Sequence, residues 1–175
     1  TVIALGLPIQ EGAITPDEFN FLKTIGDLEI SSSPITDAPI IIKYQNEENM
    51  ILLSDFVPGI TFRKAFDDNI YDVEDMYQAL GKMYGDMWDR TSSIIDGKEK
   101  GIAISDNGIV NINLFEQDGK LVAKYVDVGN VLSEMTFTDF VIHNLKTSHD
   151  QRNSYSFFKG IEEVLGKDKT IELIY

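Results

Sequence analysis

Val73, Met76, Tyr77, Leu80, Met83, Tyr84, Met87 and Trp88 recur every three or four residues, a periodicity that predicts one long amphipathic helix behind Asp72 as its N-cap. A stripe this long and this aromatic has to be covered by other elements, so it reads as core and not as a cofactor box. The chain has the means to cover it. With 175 residues, 43% hydrophobic and 10% aromatic, it can bury one sizeable core and is too apolar to stay disordered, and a single domain over residues 1–175 is expected.

The rest of the chain supplies mixed elements. Thr1 to Leu7 is a short apolar run that predicts a buried strand. Thr15-Pro16-Asp17-Glu18 has the chemistry of a helix start, with Thr15 as cap and Glu18 completing a capping box. Phe19, Leu22 and Ile25 then form one face that Gly26 ends. Ala38 to Tyr44 and Met50 to Val57 are strand-like, separated by the polar residues 46–49 of a hairpin and stopped by Pro58-Gly59. After the long helix, the residues from Asp96 to Gly101 are expected to form a polar loop. Ile109 to Phe115 and Lys120 to Val126 predict a second hairpin, turned by Asp118-Gly119. Thr136 to Leu145 and Tyr155 to Leu165 predict helices, the second burying Phe158, Ile161 and Leu165. Strands and helices in this order give an α+β layout.

Charge narrows the partners. The formal net charge of -14, from 29 acidic and 15 basic side chains, repels phosphate backbones and anionic lipid, so no nucleic acid partner is expected. A solvated acidic surface explains this charge more simply than an acidic interaction protein that imitates nucleic acid, which is the third functional alternative. No apolar run reaches the length of a membrane span and no signal peptide is visible. With no cysteine, disulfide and thiolate chemistry is excluded. A cytoplasmic location is expected. His143 and His149 lack the companions of a zinc site.

Three polar residues stand out once the elements are laid down. Asp106 precedes the second hairpin, Asn111 follows five residues later, and Asp127-Val128-Gly129 comes just after that hairpin. Asp and Asn also stabilise ordinary turns, so either motif alone says little. Together, Ile104 to Phe115 resembles the catalytic loop of the kinase-like phosphotransferases, the protein kinases and the aminoglycoside and choline kinases, and Tyr125 to Gly129 resembles their metal-binding turn. Ile51 to Gly59 is similar to the strand and hinge joining their two lobes.

The resemblance implies a kinase-like two-lobed fold with a reduced N-lobe over 1–57 and a shortened helical C-lobe over 58–175. It also implies a phosphotransferase that uses Mg-ATP. In that scheme Asp106 is the catalytic base, Asn111 and Asp127 are metal ligands, and Asp55 and Val57 contact the nucleotide at the hinge. A protein substrate or protein partner goes with it. So brief a helical half is similar to the minimal kinase-like effectors that bacteria inject into host cells, which adds a secreted effector as a second expectation for location.

The chain departs from the family in places that matter. Ile104 and Ser105 stand where the family has His and, in protein kinases, Arg. Gly108 replaces a Lys and Val128 a Phe. Thr1 to Leu7 occupies the place of the strand that bears the phosphate-binding Lys and contains none, and no glycine-rich loop precedes it. Either a segment before Thr1 carries that loop or the chain does without it. Lys23 or Lys43 would be a substitute cation on this reading, and Glu18 or else Glu11 the helix Glu that pairs with the missing Lys, but a surface position is the favoured explanation of each Lys and the capping role already explains Glu18. These departures favour the second alternative, a pseudokinase that serves as a protein-binding or regulatory module.

Overall fold

The long helix forms where its stripe predicts. Asp72 caps it, its carboxylate accepting the Glu74 N–H at 2.8 Å and the Asp75 N–H at 3.4 Å, which satisfies two of the donors that every helix start leaves over. A computed structural model describes this helix and the rest of residues 2–5, 12–14, 28–31, 41–45, 50–55, 57–104, 107–126, 131–147 and 153–174. The chain divides into two units, Thr1–Val57 and Pro58–Tyr175.

The first unit holds a five-stranded antiparallel sheet of β1 (Val2–Leu5), β2 (Gly12–Ile14), β3 (Leu28–Ser31), β4 (Ile41–Gln45) and β5 (Met50–Asp55), in the order β2-β1-β5-β4-β3. Val2 lies opposite Asp55 and Ile42 opposite Leu53. The helix expected from Thr15 and the turn at 46–49 lie outside the described residues.

In the second unit β6 (Ile60–Thr61) leads into the short α1 (Phe62–Asp67) and then α2 (Val73–Thr91). β7 (Ser93–Ile95) and β8 (Lys98–Ile104) follow, then β9 (Ile112–Gln117), β10 (Lys120–Tyr125) and β11 (Val131–Met135). The helices α3 (Phe137–Thr147), α4 (Ser154–Leu165) and α5 (Lys167–Ile174) complete it. Two three-stranded antiparallel sheets result, β10-β9-β6 and β11-β8-β7. The architecture of the described residues is therefore α+β. None of the described helices is long and apolar enough to cross a membrane.

Two expectations need correction. The residues from Asp96 to Gly101 do not form a polar loop. Asp96 and Gly97 both take positive φ, 52° and 74°, and make a tight hairpin turn into β8. The charged start of β8 lies at the surface, while Gly101, Ala103 and Ile104 are buried; the Trp88 ring lies over Gly101, where a Cβ would come to 2.6 Å from it. In α4 the buried face runs through Ser156, Phe157, Gly160 and Ile161, with Phe158 only half-buried. Its orientation is set by a close backbone approach to α2, which turns Gly160 and not Phe158 inward.

The core gathers around Tyr84. Its ring meets Tyr125 of β10 and Phe140 of α3 edge-on and Phe157 of α4 at a tilt, with centroids 5.8–6.1 Å apart, and Trp88 extends the cluster to Phe137 and Phe140. The Tyr84 and Tyr125 hydroxyls share a buried hydrogen bond of 2.8 Å. Burial pushes the Tyr84 phenol well above its ordinary value of 10.0, against the opposing effect of that hydrogen bond. A phenol that stays protonated in the folded state stabilises fully below its unfolded pKa and loses that stabilisation as pH rises beyond it. The urea midpoint is therefore expected to fall above pH 10. In Tyr84→Phe the unfolding free energy should start lower by about 1 kcal/mol and the midpoint should fall less steeply with pH. Equal slopes for the two proteins would dissociate Tyr84 from the alkaline transition.

Candidate functional site

The site is built at one end of the β8–β11 pair. Ile104, the last residue of β8, lies opposite Val131, the first of β11, so the chain leaves and re-enters the sheet at adjacent points. Between these points runs the β9–β10 hairpin, whose open end is equally well fixed: Ile112 lies opposite Tyr125, and the Val126 N–H donates to the Asn111 carbonyl at 2.9 Å. Asn111 and Val126 are thus neighbours across the hairpin although 15 residues separate them in sequence.

The loop between β8 and β9 is held from several sides. The Asn111 N–H closes a turn on the Gly108 carbonyl at 2.8 Å, and the Ile109 carbonyl accepts the Arg63 N–H of α1 at 3.3 Å. Asn107, 2% exposed, sends its amide Nδ2 to the His143 carbonyl at 3.1 Å and to Asn144 Oδ1 at 2.9 Å. Asn144 is fully buried and donates back to the Phe140 carbonyl of its own helix at 2.9 Å. His143 Nε2 donates to the Ile104 carbonyl at 2.9 Å. Among the described residues no buried side-chain polar atom lacks a hydrogen-bond partner, as a polar network in a dry interior requires.

Of the residues singled out in the sequence, Asn111 is half-buried on this loop. Asp106 and Asp127 lie outside the described residues, as do Ser105, Val128, Lys23, Glu11, Glu18 and His149. Asp55 ends β5 opposite Val2, and Val57 closes the first unit, half-buried. Lys43 lies within β4, opposite Leu52.

Asn107, His143 and Asn144 are residues that sequence reasoning missed in this setting, since His143 reads as an ordinary surface or core histidine. A signal was present. Asn144 falls four residues after Phe140 and seven after Phe137, on the buried face of α3, where an amide is retained only if it is satisfied.

Among the described residues alone, no group of three His, Cys, Asp or Glu could hold a metal.

A cleft of about 700 Å³ lies elsewhere, between the β7–β8 hairpin, the start of α3 and α5, lined by Ile94, Lys98, Glu99, Phe137, Lys169 and Ile174 among others. Neither Asn111 nor Val57 lines it. Its lysines and glutamates balance, and Lys169 already sits 3.6 Å from both Asp89 and Glu99, so the cleft favours no ligand of either sign. In comparisons with known proteins, no family model and no curated protein matches this chain.

Proposed function

We propose that this chain is a kinase-like phosphotransferase domain of reduced size that acts with Mg-ATP on a protein substrate or partner. In this reading Thr1–Val57 corresponds to a reduced N-lobe and Pro58–Tyr175 to a shortened C-lobe. The observation that supports it is two strand pairings, Ile104 opposite Val131 and Asn111 beside Val126. The stretch of sequence that carries Asp106 and the stretch that begins with Asp127 are therefore each bounded by these same two pairings.

Phosphoryl transfer asks a protein chiefly to position reactants and to neutralise charge. Asn111 and Asp127 would hold the magnesium ion, which neutralises phosphate charge when bound. Asp106 would orient the attacking hydroxyl and take its proton late in the reaction, work for which a correctly placed ordinary carboxylate suffices. Asp55 and Val57 would contact the nucleotide, as the hinge resemblance implies.

A second reading, a pseudokinase that binds a partner without transferring phosphate, draws support from Ile104. That side chain is fully buried where the family carries His, so this position can neither donate a proton nor bind phosphate. Calorimetric titration with ATP, in magnesium and again in excess chelator, tests the shared premise. Saturable binding that chelator abolishes is expected. No heat and no thermal shift in magnesium would sink the phosphotransferase reading.

A further inference from the structure

We infer that α3 is the positioning element of the chain at Ile104 and at Asn107, acting through Asn107, His143 and Asn144; a consequence for catalysis by Asp106 rests on the phosphotransferase reading, while the positioning itself does not. The geometry is specific. The two contacts to α3 bracket the segment 105–106: His143 holds the carbonyl of Ile104 on one side of it, and Asn107 is held by two oxygens of α3 on the other. Because both acceptors of Asn107 are oxygens, its amide has one orientation, and because Asn144 spends its own donor on Phe140, its Oδ1 is fixed toward Asn107.

β8 ends at Ile104 and β9 begins at Ile112. Among the described residues between them, Ile109 and Asn111 are held by backbone bonds to α1, to Gly108 and to Val126, whereas Asn107 is held through its side chain. α3 itself is anchored in the core by Phe137 and Phe140, which makes it a rigid reference for the loop. A carboxylate that must meet a hydroxyl within hydrogen-bond reach needs such a reference, since a displacement of about 1 Å can cost on the order of 100-fold in rate. None of the three residues is assigned contact with substrate, so they are positioning residues.

The test uses the full chain. Asn144→Leu keeps the volume and removes the acceptor; His143→Phe keeps a ring, removes the donor to Ile104 and alters only a half-buried position, so it reports even if Asn144→Leu does not fold. Hydrogen exchange of the amides at 105–111 is expected to speed up by roughly tenfold in either variant, the change that follows from losing about one buried hydrogen bond. The α2 and α4 amides should keep their wild-type protection. Unchanged exchange at 105–111 in a folded variant overturns the inference, whatever the activity. Where the wild type transfers phosphate, kcat per folded molecule, with the folded fraction measured by circular dichroism, should fall with an unchanged KM for ATP; an unchanged kcat per folded molecule overturns the catalytic consequence. A wild type that transfers nothing removes the functional reading, and exchange alone then decides the positioning.

Discussion

Gly81→Ala is expected to destabilise the second unit by about 3 kcal/mol, a large value for the addition of one methyl group. A Cβ built on Gly81 would sit 1.9 Å from the Phe157 carbonyl oxygen, and one on Gly160 2.1 Å from the Gln78 carbonyl oxygen. Both obstacles are backbone, so neither can step aside as a flexible side chain would, and the two helices would have to separate. Helix propensity acts in the opposite direction, favouring Ala over Gly by about 1 kcal/mol inside a helix. A net loss in urea unfolding therefore isolates the interhelical contact. Gly85 gives the intermediate case, because its Cβ would meet Val164 Cβ at 3.2 Å, and a smaller loss is expected there. Gly97→Ala serves as the control for conformation alone: nothing lies within 4 Å, but its φ of +74° costs about 1 kcal/mol with a side chain. If Gly81→Ala costs no more than Gly97→Ala, the close crossing of α2 and α4 is not what holds this unit together. Gly160→Ala should match Gly81→Ala, and the double variant should lose less than the sum, since one separation relieves both clashes.

The elements legible in the sequence were those whose local chemistry and tertiary packing agree. α2 was legible from Asp72 and its stripe, and the β9–β10 hairpin from Asp118-Gly119, whose φ values of 52° and 73° are those the tight turn needs. Asp96-Gly97 carries the same signal, yet the charged residues around it mask the β7–β8 hairpin, because a surface strand with lysine and glutamate has the composition of a loop. β11 was illegible for another reason. Its register shifts between Leu132 and Met135, and Glu134 takes a φ of 58°, so the alternation that marks a strand is broken. α1 has only six residues, too few for a periodic stripe to declare itself.

The candidate site divides in the same way. The spacing of Asp106, Asn111 and Asp127 is a property of the sequence, and so is the hairpin between the last two. The pairing of Ile104 with Val131 is not, since it joins two strands of which one lacks alternation and the other begins in charged residues. The Asn107–Asn144 bond spans 37 positions and follows from no local pattern. Local rules found the candidate residues, and long-range pairing fixes only the strand ends that flank them.

Asp106→Asn is expected to lower the rate of phosphate transfer, to the protein itself or to a protein substrate, on the order of 1,000-fold, within the range a positioned general base contributes. The amide has the size of the carboxylate and can still hydrogen-bond a hydroxyl, but it cannot accept the proton. The loss should therefore fall on kcat, with the KM for ATP unchanged. Asp127→Ala is expected to behave differently. On the phosphotransferase reading it removes a carboxylate ligand, so magnesium-dependent nucleotide binding itself should weaken, and titration should show this before any rate is measured. The contrast between the two variants separates proton transfer from ion holding, which a loss of fold would merge. It also separates the two functional readings. A pseudokinase transfers no labelled phosphate above the Asp127→Ala background, and Asp106→Asn then changes nothing. Transfer at the wild-type rate in Asp106→Asn would remove Asp106 from the chemistry and leave the Asn111 loop as a binding feature only.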